Sequence, residues 1–268
     1  MNRYMSSAEL KRNAKSQLFG NMGTVIGAFL LHMLCTLPIG FLISALNLDT
    51  IPKFVIYFVL SLGAGLLDTV FDMGESLVAL KVACNQSAAS TDIFYGFKNA
   101  PMKILIVRVI PVFISELLAM PVLMTTIMMN NAMPPMDEYM QMVQTTDVAA
   151  MSKFLQTMLP ISLLNIGVVA LQLGVSLIVS TLFGQTLFLM LDYPDKSATQ
   201  IIKLGIKIMK GNWGRYIYLR LSFIPWLLLR LVTCYLSDLY VYPYRNVTMA
   251  DFYLDVIRNY KVNNTGLE

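Results

Sequence analysis

Long unbroken apolar runs, separated by short polar and mostly basic stretches, organise this chain. Runs at about 24–46, 54–83, 102–129, 159–191 and 216–241 reach or exceed the roughly 20 apolar residues that span a bilayer. The pattern predicts an all-α fold: a polytopic transmembrane helical bundle of five spans, or six if the last run divides. That last run contains Arg220, Pro225 and Arg230. It reads either as one kinked span or as two half-helices broken at Ile224-Pro225. The whole chain, 1–268, reads as a single integral membrane domain.

Two segments between the runs carry the period of amphipathic surface helices. Residues 5–20 set Leu10, Ala14 and Leu18 against Lys11, Arg12 and Lys15, with Ser6 or Ser7 as a cap and Glu9 in the first turn. Residues 197–210 set Ile201, Gly205 and Ile208 against Lys203, Lys207 and Lys210. The six cations are candidate contacts to an anionic lipid surface, and the first helix has the alternative of docking on the bundle. Asn47 to Lys53 is expected to be a short loop. The piece DIFYGFKNA, 92–100, is expected to be a short interfacial helix anchored by Phe94, Tyr95 and Phe97. Residues 130–158 read as a polar, non-cytoplasmic loop with a short helix near Asp147 to Thr157, and 242–268 as a polar tail.

Gly-Asn-x-Gly occurs twice, as Gly20-Asn21-Met22-Gly23 and Gly211-Asn212-Trp213-Gly214. Each copy follows a basic amphipathic helix and precedes an apolar run. The repeat reads as a tight corner between a surface helix and a helix that turns inward, with glycine giving the backbone freedom.

The second run carries Asp68, Asp72 and Glu75, which share one face of a helix by their i, i+4, i+7 spacing. Carboxylates facing lipid cost a few kcal/mol each, so this face is expected to meet protein or water. At about 1.5 Å per residue the run is roughly 45 Å long, which places Asp68 deepest and Glu75 near the headgroups. Gly63 and Gly65 are expected to permit close helix contact. Arg108 and Glu116 are two turns apart in the third run, and Arg220 and Arg230 lie in the last. These seven residues form a candidate intramembrane polar seam. A structural ion-pair network and a proton or cation path remain open as its role. His32, the one histidine, reads as a hydrogen-bonded helix-packing residue rather than a relay.

Composition narrows the class. Of 268 residues, 56% are hydrophobic and 13% charged, with mean hydropathy +0.62; soluble domains carry about a quarter charged residues. The net charge of +4 comes from Lys and Arg between the apolar runs. That suits a cytoplasmic N-terminus better than nucleic-acid binding. Residues 1–20 are polar and basic, so no cleavable signal peptide is expected. Cys35, Cys84 and Cys234 have neither disulfide nor zinc-site spacing. Eight of the 19 methionines crowd the 120–142 region, where no Cys or His supports a soft-metal site, and read as apolar filler. HExxH, GxSxG, P-loop and dinucleotide-binding motifs are missing. The expectation is therefore no enzyme and no cofactor.

Three stretches together are distinctive: LKRNAKSQLFGN at 10–21, DIFYGFKN at 92–99, and KIMKGNWGRYIYLRLSFIPWLLLRLVTCYLSDLYVYPY at 207–244 followed by DFY. They resemble the domain of unknown function 975 family of bacterial integral membrane proteins. Family members often carry glycines where this chain has Thr233-Cys234-Tyr235. The resemblance implies an all-helical protein of a bacterial membrane and no particular activity. The expected function is a non-enzymatic scaffold or accessory component that engages anionic lipid, or a membrane protein partner, through its basic helices. The alternative is a small transporter or channel using the acidic face. More remote is an intramembrane enzyme built on Asp68 and Asp72.

Overall fold

Every regular element among the described residues is helical. The computed structural model describes residues 4–46, 48 and 50–265, with the side chains of Leu227, Leu231 and 263–265 left aside. Asn47 and Asp49 of the expected first loop lie outside the described residues. Helix α1 (Ser7–Leu18) starts at a capping box: the Ser6 hydroxyl accepts the Glu9 N–H, and the Glu9 carboxylate accepts the Ser6 N–H at 2.7 Å. Helices α2 (Met22–Ser44) and α3 (Ile51–Ala83) follow. A 3-10 turn, Ser90–Phe94, then leads into the short α4 (Tyr95–Lys98) and the long α5 (Pro101–Ala132). Next come α6 (Met136–Gln144), α7 (Val148–Phe183), α8 (Thr186–Asp192) and α9 (Ala198–Met209). The chain ends with α10 (Trp213–Leu221), α11 (Ile224–Val232) and α12 (Asp238–Thr265).

Four stretches are long and apolar enough to cross a membrane: α2, α3, α5, and α7 with α8. Much of their apolar surface is not covered by the chain itself. Leu34, Phe41, Leu42, Val55 and Val59 are all exposed. A large exposed apolar surface of this kind belongs against lipid or a partner.

The fifth expected run is not one continuous helix; it breaks before Ile224-Pro225, as the two-half-helix alternative has it. The run 216–241 divides into α10, α11 and the start of α12. Pro225 sits in the first turn of α11, where its missing N–H leaves no ladder bond unmade. Cys234 and Tyr235, with φ of 47° and 69°, then end α11 without a glycine. The expected polar loop at 130–158 is also mostly helix. α5 continues to Ala132, and Asp147 caps α7 by accepting the N–H groups of Ala149 and Ala150 at 3.0 Å. The expected short helix near 147–157 is thus the first part of α7. The expected polar tail is the largest correction, because α12 is a core element.

The chain divides into two compact units: Met1–Val112 with Val179–Glu268, and Phe113–Ile178. In the second unit Asn165 donates to the Thr125 hydroxyl at 2.7 Å, and Tyr139 packs edge-on against Phe154. A cleft of about 550 Å³ lies there among Glu138, Met142, Asp147, Lys153 and Phe154.

The core of the first unit forms around α12, which packs on α1, α2, α3 and α9. Val247, Ala250, Phe252 and Tyr253 of α12 are fully buried, as are Ala14 of α1 and Val82 of α3. Only the second half of α3, from Thr69 on, is in this core. Against it lies the strap formed by the 3-10 turn and α4. Ile93 is fully buried, and Phe71 meets Phe94 and Phe97 edge to face. The strap comes so close that a Cβ at Gly74 would collide with the backbone of Ile93, and one at Gly96 with the Val70 carbonyl. Gly63, expected at a close contact, has nothing within 4 Å of a Cβ built on it.

Candidate functional site

The two Gly-Asn corners have one geometry. Phe19 (φ −64°, ψ 118°) and Lys210 (φ −58°, ψ 121°) precede Gly20 (φ 87°) and Gly211 (φ 86°). These are type II turns, closed by Asn21 N–H to Leu18 C=O at 3.0 Å and Asn212 N–H to Met209 C=O at 2.8 Å. The third turn position needs positive φ, which glycine takes without steric cost. The Asn21 and Asn212 side chains donate back to the carbonyls of Gln17 and Ile208, which bonds each corner to the helix before it. Gly23 and Gly214 sit in the first turn of the following helices, with nothing within 4 Å of an added Cβ.

The polar seam forms where α2 and α3 enter the packed core. His32, on the buried face of α2 with Val25 and Ala28, is held between two carboxylates. Its Nδ1 is 2.8 Å from Glu75 Oε1 and its Nε2 is 2.7 Å from Asp68 Oδ1. The ring stacks on Phe71. The second oxygen of Glu75 accepts from the Tyr242 hydroxyl and from Asn246 Nδ2 at 3.4 Å, both on α12. Arg108 of α5 reaches Asp72 at 3.4 Å. Glu75 is buried, whereas the Asp68 side chain is 51% exposed and forms the outer edge of the network.

The i, i+4, i+7 face therefore meets protein, as the cost of lipid-facing carboxylates requires. Four of the seven expected seam residues, Asp68, Asp72, Glu75 and Arg108, come together. The other three do not bond to them. Arg230 pairs with Asp238 at 2.6 Å, and Arg220 donates to the Tyr216 hydroxyl at 3.0 Å. Glu116 lies in the second unit and has no hydrogen-bond or ion-pair partner among the described residues. His32, Tyr242 and Asn246 take their places. A histidine one buried turn beyond Ala28 was a signal for this. Tyr242 and Asn246 gave none, because their segment read as a tail.

The basic helices behave unequally. Arg12, Lys15, Lys203, Lys207 and Lys210 are exposed, on faces opposite buried Leu10, Ala14, Leu18, Ile201, Gly205 and Ile208. Lys11 is half-buried and turned toward the protein. Its ammonium donates to the Ser222 carbonyl at 3.0 Å and lies over the Phe223 ring.

Two further polar groups anchor α12, and neither was apparent from sequence. Arg215 binds Asp255 at 2.6 Å and the Met5 carbonyl at 2.7 Å, between the rings of Tyr4 and Phe252. Asp251, 4% exposed, accepts from Gln17 at 3.1 Å, while its Oδ2 and Gln17 Oε1 are buried without partners. Burial pushes the Asp251 carboxyl up from 3.8 to about 6, against the opposing bond from Gln17. This residue lies outside the four candidate spans. A raised carboxyl favours the folded state at low pH, and that contribution is lost as pH rises from about 4 through about 6. Asp251→Asn is accordingly expected to raise the thermal midpoint at pH 8 and to have little effect at pH 4. A pH-independent difference between the two proteins would contradict this reading of the site.

The family described as "Protein of unknown function (DUF975)" matches residues 1–260, so the chain belongs to that family. No curated protein and no solved structure matches the chain.

Proposed function

We propose that this member of the DUF975 family is a non-enzymatic integral membrane component of the bacterial cell membrane, a scaffold or accessory subunit. Its basic helix faces rest on anionic lipid headgroups on the cytoplasmic side, where the N-terminus lies. The observation that carries the reading is the set of exposed cations, Arg12, Lys15, Lys203, Lys207 and Lys210, on helices whose other faces are buried. Near an anionic surface each such cation contributes about 1 kcal/mol, so the set supplies several. Four crossings would return the chain to the side it left. The direct packing of α1 on α12 fits that topology and supports a cytoplasmic C-terminal helix. The bonding of Asp68, Asp72 and Glu75 to His32, Arg108 and Tyr242 favours a structural seam over an open path.

The test is thermal unfolding in nanodiscs of phosphatidylcholine and of phosphatidylglycerol. The wild type is expected to be more stable in the anionic lipid, and Lys203→Gln/Lys207→Gln/Lys210→Gln to lose most of that gain. Equal stability in both lipids would reject the lipid contact and leave a protein partner for the basic faces. Solute movement by the purified protein in liposomes would reject the component reading. One observation favours that second, transport reading: the half-exposed Asp68 connects through His32 to buried Glu75. Flux abolished by Asp68→Asn/Asp72→Asn/Glu75→Gln in a folded protein would establish it.

A further inference from the structure

We infer that His32, Asp72 and Glu75 form a binding site for a divalent first-row transition cation of the zinc(II) class, which fastens α2 to α3. One ligand atom from each of the three lies within 4.8 Å of the others. A cation bonded at about 2.0–2.2 Å to each nitrogen or oxygen draws such atoms to roughly 3–4 Å, a shift within reach of side-chain rotation. The donors are one imidazole and two carboxylates, on two different helices. The imidazole selects against magnesium and calcium, which take oxygen ligands, and suits zinc(II) and its neighbours.

The surroundings of the three residues distinguish them from a plain group of acids. Each has an outer partner of the kind that orients a metal ligand. With Nδ1 of His32 toward the cation, Nε2–H donates to Asp68 at 2.7 Å. Asp72 is bonded by Arg108, and the second oxygen of Glu75 by Tyr242 and Asn246. These partners come from α3, α5 and α12, so the ligands are oriented by elements on several sides.

Charge points the same way. Buried Glu75 and half-buried Asp72 against Arg108 leave one negative charge when His32 is neutral, and half-exposed Asp68 adds a second at the edge. Buried charge needs compensation. A proton on His32 gives one positive charge. Arg245, whose guanidinium lies 5.2 Å from the Tyr242 ring centroid, gives another from farther away. A divalent cation would place both charges in contact with the carboxylates. The three protein ligands leave coordination positions for water beside the exposed edge at Asp68. This inference goes beyond the scaffold reading and does not depend on it, because a cation that joins two helices serves a scaffold and a transporter alike.

The experiment uses the full chain, free of any affinity tag, with Cys84→Ser and Cys234→Ser to remove the exposed thiols. His32 is the one histidine, so no other imidazole competes. After chelation, zinc(II) and magnesium are titrated separately by calorimetry at pH 7.5, and bound metal is counted by elemental analysis. The expected result is one zinc per chain, a raised thermal midpoint, and magnesium binding at least 100-fold weaker. His32→Gln and Asp72→Asn should each abolish stoichiometric binding. Asp68→Asn, which leaves the three ligands in place, should weaken it about 10–100-fold at unchanged stoichiometry. If the ligand variants do not fold, the Asp68→Asn result decides alone. No saturable zinc binding by the parent protein, or an unchanged affinity in Asp68→Asn, would overturn the assignment.

Discussion

A chain ended after Leu239 is expected not to fold, although the missing segment looks like a dispensable tail. That truncation removes Val241, Val247, Ala250, Phe252, Tyr253, Val256 and Ile257, all at most 4% exposed. Burying a large apolar side chain contributes about 1.5–3 kcal/mol. Six such residues together contribute about 9–18 kcal/mol, as much as the roughly 5–15 kcal/mol by which a domain is stable. The truncation also takes Asp255 from Arg215, and Tyr242 and Asn246 from Glu75. Phe252→Ala is the graded version. It leaves a cavity beside Tyr216 and should cost about 3–5 kcal/mol. Both are measured by yield of monodisperse protein and by thermal unfolding in detergent. A truncated protein that still ran as a folded monomer would show that α1, α3 and α9 make a core without α12.

Gly74→Ala should be the most damaging change of a single carbon. Overpacking a core costs typically about 1–3 kcal/mol when side chains can move aside. Here the added Cβ meets the backbone of Ile93, which is fully buried and held by the strap. The expected loss is therefore at or above about 3 kcal/mol. Gly63→Ala, on the same helix with open space at its Cβ, is the control. It should be neutral, or stabilising by up to about 1 kcal/mol through helix propensity. Equal effects at the two positions would mean that the strap yields and does not fix α3.

The two surface helices show how far local pattern reaches. Ser6 and Ser197 cap helices of 12 residues, and the same number of residues separates each from its corner glycine. Buried Leu10, Ala14 and Leu18 in one match buried Ile201, Gly205 and Met209 in the other. Past the corners, buried Val25 and Ala28 match buried Tyr216 and Leu219. All of this follows from caps, period and turn chemistry, which act over a few residues. The repeat then diverges, because α2 continues through Pro38 whereas α10 stops at Leu221 before Pro225. Proline gives the same local signal in both, so neighbours decide whether the helix goes on.

The sequence by itself determined the class, the helical content, four of the five expected apolar spans as long helices, both corners and the shared face of Asp68, Asp72 and Glu75. Each depends on the local spacing of residues of one kind. Tertiary structure decided which partners met that face and where the core lay. Arg220 and Arg230 found nearer partners in Tyr216 and Asp238, four and eight residues away on the chain, and were not drawn to the carboxylates. α12 has so many polar positions that its composition reads as solvent-exposed. Most of those groups find partners inside the fold, in Arg215, Gln17, Asp192 and Glu75, while Oδ2 of Asp251 is buried without one. Burial of a polar residue depends on a partner that is distant in sequence, and only the folded chain brings the two together.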